Sequence, residues 1–292
     1  MYKKKLQIIS LISISAVMLA CQSTAAPIAY VPQKVTGLKT PESAIQTKDG
    51  RIFVSEINEF GKNGDGQITV IDTTGKASVF ASGLDDPKGL AIIGQDLYVA
   101  DIARIWKITP DGKASVFVPA GAFAFPPQFL NDLETDAHGN LYVSDSGDLF
   151  KTGKGGAIYK ITSDGKTTLL INDVKDARIK APNGIVALNT NDTLIEVDFA
   201  SGTLYSLNQK TGELTAIAEG FGGGDGLIRL SNGTTYVSDW KGGKVYNVNT
   251  KGEVTLLKEG YQSAADIAMT KDEKFIMVPD MKAGELDFIP VK

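Results

Sequence analysis

Short runs in which apolar residues alternate with polar ones follow one another along this chain, and they fall into a repeated sentence. The clearest copy starts with Phe129-Leu130-Asn131-Asp132-Leu133, an apolar strand interrupted by polar residues near its start. It then passes through a turn, Asp136-Ala137-His138-Gly139-Asn140, into Leu141-Tyr142-Val143-Ser144-Asp145, a second strand closed by an acid. Period-two runs of this length, bounded by turn residues, predict half-buried β-strands. Further copies start at Pro87, Pro182 and Gly224, with weaker ones at Pro41 and Ala264.

The polar position near the start of each copy is variable: Glu42, Lys88, Asn131, Asn183, Asp225 and Ala265, at intervals of 46, 43, 52, 42 and 40 residues. A period of this size suits one four-stranded propeller blade. The fifth unit shows the four strands well, at 226–230, 234–238, 243–247 and 253–258, with Asn232-Gly233 and Lys251-Gly252 at the hairpin turns. The sixth unit ends after its third strand, Glu285 to Pro290, while Ile28 to Val35 is a strand without a hairpin partner. The expectation is therefore an all-β, six-bladed β-propeller over residues 28–292, closed by the N-terminal strand so that no sheet edge is left open. The longest interval contains Lys151 to Gly156 and Asp173 to Lys180, read as surface loops.

Composition narrows the function classes. A net charge of −4 gives no basic surface for nucleic acid. One cysteine excludes a disulfide framework, and one histidine, His138, sits in a turn and argues against a His-based site. The N-terminus departs from this plain background. Lys3-Lys4-Lys5 precede an apolar stretch to Ala20, which is short for a membrane span and reads as a signal peptide over residues 1–20. Met18-Leu19-Ala20-Cys21 resembles a bacterial lipobox with Cys21 as the lipidated residue, and Gln22 then implies transfer to the outer membrane, facing the periplasm. Cleavage near Ala25, giving a soluble periplasmic protein, is the alternative.

Because blades are wedges, the starts of the six inner strands meet near one axis. Small or apolar residues would fill that place most simply, yet five of the six are polar. Two carboxylates and two amides converging there supply oxygen ligands for a hard cation such as Ca²⁺, and without one the two acids would repel and titrate upward. Lys88 could bind a substrate carboxylate, or could replace the metal by pairing with Glu42 or Asp225. The acids closing each second strand, Glu56, Asp101, Asp145, Asp198, Asp239 and Asp280, occur in all six units and read as scaffold that bonds turn amides. Tyr98, Tyr142 and Tyr236 read as packing; Phe221 and Trp240, near Asp225, could line a pocket, with packing the commoner explanation.

The repeat layout, with Glu42, Asn131, Asn183 and Asp225 on blades one, three, four and five, resembles the SMP-30/gluconolactonase/LRE-like propellers and, more distantly, diisopropylfluorophosphatase and the paraoxonases. The resemblance implies that Glu42, Asn183 and Asp225 ligate Ca²⁺, that Asn131 is a ligand or a contact to water and substrate, and that Asp225 is the catalytic base or nucleophile. Members acting on sugar lactones typically carry an Arg two residues before the blade-three Asn. Here Phe129 stands there, with Phe123, Phe125, Pro126 and Pro127 upstream, so an apolar rim and a hydrophobic lactone or ester are expected, with Lys88, Phe129 and Asn131 as substrate contacts. Hydrolysis of such a small molecule competes with a non-catalytic propeller that binds a ligand or protein partner on the same face. The chain is read as a monomer that meets a membrane only through its lipid anchor.

Overall fold

A computed structural model describes residues 34–188 and 192–291, so the signal segment, Cys21 and most of the expected N-terminal strand lie outside the described residues. Among the described residues, twenty-four strands form six four-stranded antiparallel sheets, and each sheet's strands are consecutive in sequence except in one. That sheet is blade six. Its outermost strand is Lys34–Thr36, which pairs antiparallel with Glu285–Pro290, Lys34 opposite Asp287 and Thr36 opposite Glu285. The ring is thus closed as the pattern predicts, by a segment from the far end of the chain. Turn glycines at Gly233 and Gly252 have φ of 88° and 81°, the positive values that their hairpins require.

The hydrophobic core is divided into layers between neighbouring blades. Phe53, Ile68 and Leu84 of blade one pack with Leu90, Val99 and Ile108 of blade two. At the closing seam, Val35, Leu286 and Phe288 of blade six meet Ala44, Val54 and Ile71 of blade one. Tyr98, Tyr142 and Tyr236 are buried in such layers, as expected of packing residues, and Phe221 is likewise core. His138 is exposed in its turn.

Two local devices aim the starts of the inner strands at the axis. In blades one to five the pairing register slips across the variable position: between Pro41 and Ala44, Pro87 and Leu90, Leu130 and Leu133, Pro182 and Ile185, and Gly224 and Leu227. Such bulges bend a strand and redirect its side chains, and they leave amides without ladder partners. Serines one place before the closing acid take up three of these amides: Ser43 N–H donates to Ser55 Oγ (3.0 Å), Asp132 N–H to Ser144 Oγ (3.0 Å) and Gly226 N–H to Ser238 Oγ (2.8 Å). The second device is close approach. A Cβ on Gly89 would collide with the backbone of Asn131 to Leu133 in the next blade, and one on Gly184 with the carbonyl oxygen of Asp225. Only glycine lets these neighbouring strands come so near the axis.

The closing acids then grip the segment leading into each inner strand. Asp101 accepts from the amides of Asp85 and Asp86, Asp145 from Gln128 and Phe129, and Asp198 from Lys180, Ala181, Ala200 and Ser201. Asp239 holds Gly223, Asp280 holds Gln262 and Ser263, and Glu56 holds the amide of Lys39. Carboxylate bonds to several backbone amides are the stronger kind, so these six residues fix where the ring side chains stand.

Candidate functional site

Glu42, Lys88, Asn131, Asn183 and Asp225 are all buried and all line one cavity at the narrow end of the channel. The four oxygen-bearing residues are therefore brought together from four blades. The sixth position, Ala265, is fully buried against Ile57 and Met281 and closes the ring without chemistry. Phe129 is on the cavity wall as expected, but its upstream neighbours are not. Phe123 packs edge-on to Tyr159 in the core and Phe125 is exposed away from the cavity. The apolar wall comes instead from Ile57, Phe199, Trp240 and Met281, with Phe60, Leu149 and Phe150 beside them. Trp240, read from sequence as packing, is thus a wall residue. Ile57, Phe199, Trp240 and Met281 each follow directly after a closing acid. That shared register was the available signal for a second, apolar ring above the polar one.

Three oxygens in this cavity stand out. Asn131 Oδ1, Asn183 Oδ1 and Asp225 Oδ1 are buried and accept no hydrogen bond. Leaving a buried acceptor unmade costs about 1–3 kcal/mol each. The orientation of the Asn131 amide follows from its neighbours. Ser146 Oγ must donate to the carbonyl of Pro182 (2.9 Å), so it accepts from Asn131 Nδ2 (3.1 Å), which leaves Oδ1 facing no donor. Three unpartnered oxygens from three blades on one wall, with Glu42 beside them, are the donor set of a hard cation. The residues present fit the Ca²⁺ site expected from the sequence.

The acids carry the electrostatic mark of that arrangement. Burial pushes the Glu42 carboxyl up to about 7, against the opposing pull of a hydrogen bond from Ser43 Oγ (2.7 Å) and the charge of Lys88. Asp225 is raised well above the ordinary carboxylate range, by burial first and then by Glu42, Asp132 and Asp239. Ser43 Oγ also lies 2.7 Å from Asp266 Oδ2, and one hydroxyl proton cannot serve both carboxylates. One of the two acids therefore holds a proton, and Asp266 is raised well above its ordinary value by burial, then by Asp132 and Glu42.

Lys88 does not pair with Glu42 or Asp225. Its ammonium, 1% exposed as a residue, donates to the carbonyl of Asp86 at 3.0 Å and stands 4.1 Å from the centroid of the Phe129 ring. Among the described residues it forms no ion pair within 4.0 Å. Burial pulls its pKa down, opposed by Glu42, Asp86 and Asp101. A larger cavity, about 680 Å³, opens at the other ends of the strands between blades one and two, but none of its wall atoms is an orphaned polar group.

Comparison with known proteins agrees with this fold. In solved structures the fold is shared with a gluconolactonase from Xanthomonas campestris, 16% identical, TM-score 0.69, covering 88% of this chain and 89% of that one. It is shared with a calcium-binding protein, regucalcin, from Agrobacterium tumefaciens, 20% identical, TM-score 0.68, covering 84% and 82%. Virginiamycin B lyase from Staphylococcus aureus, 14% identical with a TM-score of 0.61, covers 89% of this chain and 99% of its own. A curated relative, protein strictosidine synthase-like 3 of Arabidopsis thaliana, is 30% identical over 143 residues, 43% of this chain, and the match spans about a third (35%) of that protein's length. The family model of the SMP-30/Gluconolactonase/LRE-like region matches residues 94–259, a stretch that includes Asn131, Asn183 and Asp225. With more than half of its length matched and the ring residues gathered at one axis, the chain belongs to the SMP-30/gluconolactonase/LRE-like family.

Proposed function

We propose that this protein is an exported, calcium-dependent hydrolase of apolar lactones or esters. The observation that carries the proposal is the trio of orphaned buried oxygens on Asn131, Asn183 and Asp225. A scaffold has no use for three unmade hydrogen bonds at one point, whereas a cation-binding site requires them. Glu42, Asn183 and Asp225 would hold the ion, with Asn131 as a fourth oxygen or as a contact to substrate. When bound, Ca²⁺ supplies a Lewis acid for the carbonyl oxygen of the ester. Asp225 would take the proton of the attacking water or attack the carbonyl carbon itself. Glu42 holds charge near the ion, positioned by Ser43. Phe129, Phe199, Trp240 and Met281 exclude water and favour an apolar acyl or ring substituent.

Where sugar-lactone relatives carry an Arg, this cavity has Phe129, which is why an apolar substrate is preferred to a sugar acid. The test is turnover of a panel of aliphatic lactones and phenyl esters with added Ca²⁺, with chelator, and with Asp225→Asn. Activity that needs Ca²⁺ and disappears in the variant is expected. A wild type inert on the whole panel, yet stabilised by Ca²⁺, would instead favour a binding protein, the reading that the apolar wall and Lys88 also accommodate. Export rests on the N-terminal pattern alone, with Cys21 as the lipid-bearing residue. Loss of lipid labelling and of outer-membrane fractionation in Cys21→Ser is the expected result.

A further inference from the structure

The charged side chains on the cavity wall do not cancel. Once ionised, Glu42 and Asp225 bring two negative charges and Lys88 one positive. A divalent cation satisfies these two acids, and the other carboxylates that act on the ammonium, Asp86 and Asp101, are not on the cavity wall. If Lys88 served only to offset Glu42, the two would pair directly, yet the ammonium sits on a backbone carbonyl and an aromatic face. An ammonium has three donors, and the carbonyl of Asp86 uses one. The position is rigid, because the side chain is buried to its tip between these two contacts.

The space around it limits what can come in. The cavity is about 60 Å³, roughly the share of two waters, enough for an ion and a small polar head. Anything larger must lie in the mouth, between the exposed rings of Phe60 and Phe150 and against Phe199 and Trp240.

We propose that the cavity binds a divalent cation and an apolar carboxylate together, with Lys88 as the counter-charge of the anion and the specificity-determining contact. The proposal rests on the cation site argued under the proposed function. Its consequence is coupling. Lys88 repels the cation when alone and ceases to do so once a carboxylate neutralises it, so each ligand tightens the other by the same factor. The carboxylate can belong to the substrate, or can be the acid that ester hydrolysis leaves behind.

Calorimetric titration of Ca²⁺ into the purified protein, with and without saturating hexanoate, tests the coupling without any variant. Hexanoate is expected to tighten Ca²⁺ binding by about 5- to 150-fold, and the neutral isostere hexanamide to leave it unchanged. Lys88→Met is expected to bind Ca²⁺ alone more tightly than wild type and to gain nothing from hexanoate. Equal Ca²⁺ affinity with and without hexanoate in the wild type would overturn the proposal while leaving the cation site intact. Absence of Ca²⁺ binding under both conditions would remove the cation site and this proposal together. Turnover separates the two sources of the anion. A preference for a carboxylate-bearing phenyl ester over its neutral counterpart, lost in Lys88→Met, assigns the charge to the substrate. Hexanoate inhibition without that preference assigns it to the product, and neither behaviour would contradict the role of Lys88.

Discussion

Glu196 offers the sharpest test of the physical reasoning, because it violates the repeat in a buried place. Two residues before the closing acid, blades one, two, three, five and six have Val54, Val99, Val143, Val237 and Val278, whereas blade four has Glu196. The side chain is 0% exposed and neither carboxylate oxygen has a partner. Ile185 and Tyr205 flank it on the neighbouring strands. Burial raises its pKa well above the ordinary value of 4.5, and Asp198 adds to the rise. Glu196→Val restores the residue of the other five blades and should stabilise the protein. Removing a buried unpartnered polar group relieves about 1–3 kcal/mol, or roughly 2–12 °C in Tm for a chain of this size.

A second contribution depends on pH. The folded carboxyl is raised above its unfolded value, so its contribution to stability is complete below about pH 4.5 and is lost as pH rises toward the folded pKa. The loss amounts to about 1.4 kcal/mol for each pH unit crossed. Thermal and urea unfolding of wild type and Glu196→Val across this range is the assay. The advantage of the variant should be smallest near pH 4.5 and should widen as pH increases. Glu196→Gln, which keeps the polar burial and loses the titration, should show a flatter pH profile than wild type. A variant less stable than wild type at every pH, or an advantage that does not change with pH, would refute the argument.

Other expectations follow from the site and its frame. Glu42 is raised to about 7 and Asp225 well above its normal range, so the cation-free fold loses stability as pH rises through neutrality and Ca²⁺ restores it. The Ca²⁺-induced rise in Tm should be larger near pH 8 than near pH 5, and an equal rise at both would contradict the assignment. Gly184→Ala pushes a methyl group into the carbonyl of Asp225 and should cost about 1–3 kcal/mol; differential scanning calorimetry, together with a Ca²⁺ titration, would show both the lost stability and the displaced ligand. Phe150 is 76% exposed, so Phe150→Ser should leave Tm unchanged. It should nonetheless reduce the gain in kcat/KM per added acyl methylene, whose ceiling is about 0.8 kcal/mol; an unaltered chain-length profile would place the acyl group elsewhere.

Much of this was legible in the repeat. A polar residue recurring at the narrow end of each wedge has to be near the axis, and this geometric necessity brought Glu42, Asn131, Asn183 and Asp225 together before any coordinates. The closing acids were legible for a similar reason, since six like residues at one register imply a scaffold task, here the capture of strand-leading amides. The lining apolar ring was equally periodic. Ile57, Phe199 and Met281 were passed over, and Trp240 was weighed as a pocket residue but read as packing, because an apolar residue beside a strand end looks like core. Leu149 and Phe150 could not be read, because they sit in the long loop between the second and third strands of blade three and nothing periodic places them. Contacts across the closing seam were also hidden. Ser43 and Asp266 are 223 residues apart, and the hydroxyl that joins Asp266 to Glu42 depends on the exact ring closure. Nor could the pattern tell whether Lys88 would pair with the acids or stand apart on the Phe129 ring, which required side-chain geometry.

The central claim is that oxygens from separate blades, Glu42, Asn183 and Asp225, share one cation. A crystal structure determined after growth with Ca²⁺ measures this directly. A cation on the axis bonded to Glu42, Asn183 and Asp225 at about 2.3–2.6 Å, with the Lys88 ammonium still on the carbonyl of Asp86, is the predicted result. No ion at that point, with Lys88 swung across to pair with Glu42 or Asp225, would contradict it.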